Sequence, residues 1–271
     1  MTTLALQTFT IRRDMKTAAA IDRSFRRLAL LGLRAVELAY IRWQPAIVEA
    51  VSAASQYHGI QVGSSQITFA LLDKRREQML EFHQQLGCDT TAVSVLPLAA
   101  VLGGRDRLLR FAEQLDALGA WYRERGLTLC FHHHDFEFRR YGEQTGFELL
   151  MAHTDPDNVA LEMDTYWAQR GGQSPAQLVR RMAGRVRVLH LRDYGLRRGL
   201  LGMRSADAAL GQGNLDIADI VEACREQGVD FMAIEQATPT PWADVAASLA
   251  HLRRLGYDEL VGTINTTETD A

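Results

Sequence analysis

Short apolar runs rich in β-branched or large aliphatic residues alternate along this chain with longer segments whose apolar residues recur at helical spacing. Eight runs predict strands, at 4–9, 35–39, 60–67, 91–96, 127–132, 159–164, 186–191 and 231–235. Amphipathic stretches between and after them predict helices at 17–31, 45–58, 75–86, 105–125, 146–153, 174–183, 217–226 and 241–255. Several helices run into the next strand through one glycine, as at Gly32, Gly87, Gly126 and Gly228, where a helix C-terminus asks for the left-handed conformation. Strict alternation of this kind means a parallel sheet covered by helices. Eight units fit the arithmetic of a single closed (β/α)8 TIM barrel of the α/β class, over residues 1–262. An open doubly wound sheet would carry a glycine-rich turn after its first strand. The residues there are Thr10-Ile11-Arg12-Arg13-Asp14, without a glycine. The polar, Thr-rich segment 263–271 is expected to fray as a tail.

Composition narrows the function classes. At 271 residues and 47% hydrophobic the chain has enough apolar content for a full core, which excludes a disordered polymer. Its formal net charge of −3 gives no bulk attraction to nucleic acid or anionic lipid, so neither is expected as a partner. No apolar run approaches the ~20 residues of a bilayer span and no secretory signal is evident, so a cytoplasmic protein is expected. Lysine occurs only at Lys16 and Lys74, the other basic residues being arginine, and Cys88, Cys130 and Cys224 are too scattered for a disulfide framework or a cysteine-type zinc site. A homo-oligomer is compatible with the chain, although no motif specifies one.

In such a barrel the site forms at the carboxyl ends of the strands. The polar residues closing the runs are Gln7, Glu37, Gln66, Ser94, the His132-His133-His134-Asp135 cluster, Asp164, His190 and Glu235. Burying a carboxylate or imidazole at a strand end without a partner costs several kcal/mol. Asp164, His190 and Glu235, ending three successive strands, therefore predict ligands of one divalent cation, Mn, Co, Zn or Mg. Singly, each has a plainer reading: Asp164 as a turn cap, His190 as a core histidine paired with Asp193. For the fourth ligand, period-two alternation puts His132 and His134 on one face and His133 on the other. His132 is the choice, with His134 and Glu137 as alternatives. Glu37 reads either as an acid/base group or as the partner of an arginine. Candidate proton-transfer groups are Glu235, Glu37, His134 and Glu137; candidate substrate contacts are Trp167, Arg192 and Gln7. Leu210-Gly211-Gln212-Gly213-Asn214-Leu215-Asp216 has the look of a phosphate cradle, but so short a glycine pattern is weak by itself.

These stretches together carry a resemblance. Leu6-Gln7-Thr8-Phe9-Thr10-Ile11-Arg12, Ala35-Val36-Glu37-Leu38, His132-His133-His134-Asp135-Phe136-Glu137-Phe138, Leu161-Glu162-Met163-Asp164-Thr165-Tyr166-Trp167, His190-Leu191-Arg192-Asp193-Tyr194, Gly211-Gln212-Gly213-Asn214-Leu215-Asp216 and Ile234-Glu235-Gln236 resemble the sugar phosphate isomerase/epimerase group of the xylose isomerase-like TIM barrels. The resemblance implies one divalent metal, often Mn or Co and here with Mn favoured, held by an acidic residue, an Asp, a His and a Glu. Asp164, His190 and Glu235 match the last three. His132 falls where the epimerases place their first Glu, which in those enzymes is also one of two acid/base groups. The expected activity is isomerisation or epimerisation of a sugar, sugar phosphate or ketose through a cation-stabilised enediolate. The alternative is dehydration of a keto-inositol or a related keto-sugar β-elimination. A small sugar or cyclitol is the expected substrate in both.

Overall fold

The computed structural model describes residues 2–200 and 202–262, so the predicted tail at 263–271 lies outside the described residues. Eight parallel strands close on themselves: β1 (Thr3–Gln7), β2 (Ala35–Ala39), β3 (Gln61–Ile67), β4 (Thr90–Val93), β5 (Thr128–His132), β6 (Val159–Asp164), β7 (Val186–Leu191) and β8 (Phe231–Ile234). Strand β1 pairs with both β2 and β8, which completes the ring. Helices lie outside it, among them Ala18–Leu30, Pro45–His58, Arg76–Leu86, Gly104–Arg123, Ile217–Glu226 and Pro241–Arg254. Each turns its apolar stripe onto the strands, and the four glycines named above all take positive φ where a helix gives way to a strand.

Several local features depart from the expected pattern. The fourth strand stops at Val93 instead of 96, because the chain turns at Pro97 into a short helix, Leu98–Leu102. A further helix, Phe69–Lys74, precedes Arg76–Leu86. Asp193–Gly199 pairs antiparallel with Gly202–Ala208 as a hairpin, where the pattern predicts no strand. Its outer half is arginine-rich and exposed, so it carried no apolar periodicity to read.

The barrel lumen is filled by small residues, Ala5, Ala35, Ala92, Cys130 and Ala233, packed with Val188 and the ring of Phe231. Gly63 on β3 faces that ring so closely that a Cβ there would overlap it. Gly63→Ala is therefore expected to destabilise the fold by about 1–3 kcal/mol, measured as a lower denaturant midpoint with unchanged slope. A second expectation concerns His83, which is buried beneath Trp43 at a ring separation of 5.5 Å. Its Nδ1 lies 2.6 Å from the Met79 carbonyl and its Nε2 2.7 Å from Ser65 Oγ, an arrangement that suits the neutral ring. Burial lowers its pKa to about 4. The folded state thus resists a proton that the unfolded chain accepts near pH 6.5. No penalty exists above that pH; stability drains as pH falls from there towards about 4. In His83→Gln the loss of stability between pH ~6.5 and ~4.5 should shrink by about 2 kcal/mol relative to the parent.

Candidate functional site

Strand register decides which side chains meet. Gln7 lies beside Glu37, His132 beside Glu162, and Asp164 beside His190, the first of each pair at its strand's carboxyl end and the second one or two residues deeper. Above them opens a cleft of about 580 Å3 whose polar wall includes Gln7, Gln66, His132, His134, Arg192 and Glu235. Phe9, Tyr40, Trp43, Tyr166 and Trp167 form its apolar wall.

His190 is the hub and is fully buried. Its Nε2 donates to Glu37 Oε1 at 2.9 Å. Its Nδ1 lies 2.9 Å from Glu235 Oε2 and 3.6 Å from Asp164 Oδ2, yet has no hydrogen-bond partner. A buried ring nitrogen beside two carboxylates, unpartnered while its other nitrogen is anchored by a third, is the disposition of a metal-ligating histidine. His132 shares part of this setting: its Nδ1, also without a hydrogen-bond partner, is 3.2 Å from Glu162 Oε2. One ligand atom each from His132, Asp164 and His190 lie within 4.8 Å of one another, and so do atoms of Glu37, Glu162 and His190. The charge balance agrees. Glu37, Glu162, Asp164, Asp207 and Glu235 face Arg192 as the single permanent cation among the described residues of the cluster. The residues present therefore fit a divalent cation.

Arg192 organises the carboxylates nearest the cleft. Its Nη1 lies 3.0 Å from Asp164 and 3.1 Å from Glu235, while Nε and Nη2 donate to Asp207 on the hairpin. Burial alone would raise Asp164 and Glu235, but Arg192 and His190 outweigh it and hold both below the usual carboxylate range. Deeper in the barrel, burial and the neighbouring Glu162 push Glu37 up, whereas His190 and His132 overcome the burial of Glu162 and hold it down.

Asp164 also caps the helix Thr165–Arg170 by accepting from Trp167 N–H at 2.8 Å, so the turn-cap reading and the site reading hold together. Asp193 does not pair with His190. It accepts from the backbone N–H groups of Tyr194, Gly211, Gly213 and Leu215, so the apparent phosphate cradle at 210–216 encloses a carboxylate of the chain itself. His133 points away from the cleft, packs against Phe138 and Phe147, and accepts from the Asp164 N–H at 3.2 Å. Burial lowers it to about 4, which keeps Nε2 free to accept.

Of the candidate proton-transfer groups, Glu235 and His134 line the cleft and the other two do not. Glu37 is sealed behind His190. Glu137 accepts from the His134 N–H at 2.8 Å and borders a separate pocket on the far side of the loop. The three candidate substrate contacts, Trp167, Arg192 and Gln7, all line the cleft, and Gln7 Nε2 donates to Glu235 at 3.4 Å. Two members escaped the sequence reading. Glu162 had a signal, since it stands two residues before Asp164 and therefore on the same strand face. Asp207 had none, because it reaches the site through the hairpin.

A family profile described as xylose isomerase-like TIM barrel matches residues 25–255. Among curated proteins, the chain is similar to an inosose dehydratase of Lacticaseibacillus casei, 31% identical over 149 residues, covering 50% of this chain and 49% of the relative. The chain thus aligns with about half the length of that relative. Among solved structures, it superposes on a sugar phosphate isomerase/epimerase of Parabacteroides distasonis with a TM-score of 0.75 at 20% identity, covering 96% and 95% of the two chains. An L-ribulose 3-epimerase superposes with a TM-score of 0.70 at 18% identity, covering 96% of each. With the closed eight-stranded barrel and the extent of the profile match, these findings show that the chain belongs to the xylose isomerase-like TIM barrel family.

Proposed function

We propose that this protein removes the proton next to the carbonyl of a polyhydroxylated ketone, a sugar or cyclitol, and that the β-hydroxyl then leaves as water. The observation that carries the reading is the setting of Glu235, a cleft-lining carboxylate held ionised by Arg192 and steadied by Gln7. A divalent cation held by His132, Asp164, His190 and Glu235, with Mn the first to test, would supply the charge that lets such a weak carbon acid ionise near neutral pH.

The remaining work falls to the chain. Glu235 accepts the α-proton; the C–H electron pair passes through the enolate and expels the β-hydroxyl. Glu235 returns its proton to that hydroxyl, so one carboxylate serves both halves of the elimination. Trp167 offers an aromatic face for the C–H side of a ring, and its neighbour Arg192, 5.6 Å from the indole centroid, keeps Asp164 and Glu235 ionised while Asp207 holds the guanidinium in place. Glu37 and Glu162 orient His190 and His132 from behind.

Elimination is favoured by two things: the similarity to an inosose dehydratase, and the tighter hold on Asp207, the other cleft-lining carboxylate among the described residues, which takes two guanidinium donors of Arg192 where Glu235 meets one. Isomerisation or epimerisation is the second reading, and the position of His134 supports it. Burial and the neighbouring His132 hold that ring neutral at the cleft wall, where it could serve as the second proton-transfer group. The test is incubation of the cation-loaded protein with keto-cyclitols and ketoses in D2O. Loss of one water supports dehydration; deuterium uptake without water loss selects isomerisation or epimerisation. Neither event with any of the four cations would sink the proton-abstraction reading.

A further inference from the structure

Beside the cleft, on the same face of the barrel, lies a second cavity of about 540 Å3. It shares Tyr40 and Ile41 with the cleft, and Arg12, Arg13, Lys16 and Arg42 supply its charged lining. Among the described residues no carboxylate borders it. Asp14, the acidic residue of the same loop, turns away to accept from Trp242 Nε1 at 2.8 Å. Several arginines elsewhere do find carboxylates, as Arg170 does with Asp135, Arg180 with Glu226 and Arg187 with Asp230. Among the described residues, Arg13, Lys16 and Arg42 have no such partner. Arg12 is pinned without one: it donates to the Phe9 carbonyl at 2.9 Å and lies 4.1 Å over the Phe9 ring. Four cations around one concavity, in a chain of net charge −3, raise a local positive potential that attracts an anion.

The partition between the two cavities is a built feature as well. Tyr40 has a φ of 58°, the one positive value for a non-glycine among the described residues, and is 74% exposed. It meets Phe9 edge-on at 5.6 Å, so Arg12, Phe9 and Tyr40 form a continuous wall from the basic cavity to the cleft. A bulky residue held in the left-handed region at a cavity wall, with its ring exposed, is a device for placing that ring against something bound.

We propose that the basic cavity is an anion subsite: it receives a phosphate ester or carboxylate carried by the substrate at the end remote from the carbon that loses its proton. The inference rests on the proton-abstraction reading for its substrate, though not for the binding of the anion. A cavity that adjoins the cleft across Tyr40 and Ile41 suits a small substrate's terminal group, whereas a nucleic acid would call for an extended basic stripe.

The experiment titrates inorganic phosphate into the full chain by calorimetry, comparing the parent with Arg13→Ala/Arg42→Ala and with the charge-keeping pair Arg13→Lys/Arg42→Lys. Phosphate affinity should fall at least about tenfold in the alanine pair and be largely kept in the lysine pair. Turnover arms compare a ketose with its phosphate ester and with a keto-acid analogue. The kcat/KM preference for an anion-bearing substrate should fall by a similar factor in the alanine pair, and the substrate giving the larger drop identifies the natural anion. Equal phosphate affinity in parent and alanine pair overturns the subsite. So does tight binding of an acidic polymer that free phosphate does not displace, which would reassign the cavity to a macromolecule. Charge-dependent phosphate binding without turnover of any ketose keeps the subsite and defeats the chemical reading.

Discussion

Glu235→Gln is expected to lower kcat by about 10²- to 10⁴-fold while the protein still takes up a divalent cation. The substitution keeps the size of the side chain and one oxygen that can face His190, but removes the group able to accept a proton. Arg192 Nη1, 3.1 Å from Glu235 Oε1, and His190 Nδ1, 2.9 Å from Oε2, hold the native carboxylate ionised, so near neutral pH it is ready to act. Loss of rate should therefore fall on kcat, with a smaller change in KM. Elemental analysis of the same variant separates the two roles given to Glu235. A cation retained with the rate lost assigns it as the base. A rate that survives the substitution moves the proton to His134.

His190→Ala should abolish cation uptake and activity together. The imidazole is the contact common to Glu37, Glu162, Asp164 and Glu235, and removing it leaves those carboxylates mutually repelling in a buried space. In the parent, a cation at about 100 times its Kd should add roughly 2.7 kcal/mol of stability and raise Tm; in His190→Ala that rise should vanish. Glu37→Gln is the informative companion. It keeps the ligating ring and weakens only the hydrogen bond at 2.9 Å that sets its tautomer, so cation affinity should fall about 10- to 100-fold without being lost. Equal cation-induced Tm rises in all three proteins would exclude His190 as a ligand.

The relation of Glu37 to the site shows how far strand-end reading reaches. Its place in the site was legible because a charged residue within an apolar strand requires a partner. What that partner is was not: Glu37 and His190 are 153 residues apart, and only closure of the barrel brings them to hydrogen-bond distance. The same limit applies to Glu137. In the sequence it is a carboxylate close to a histidine cluster; in the fold, the short helix at Phe136–Phe138 turns it back onto the His134 amide and out of the cleft.

By itself the sequence determined the barrel, the order of its strands and the row of Asp164, His190 and Glu235. Hydrophobic periodicity and the cost of burying an unpaired ionisable group are local properties that can be read along the chain. Only the tertiary structure decided that Glu162 and Asp207 join the site, that Asp193 fills its own glycine loop, and that four cations line a cavity beside the cleft. Those outcomes depend on strand register and on loops folding over a closed ring, and they arise from contacts between residues whose separation in sequence carries no periodic signal.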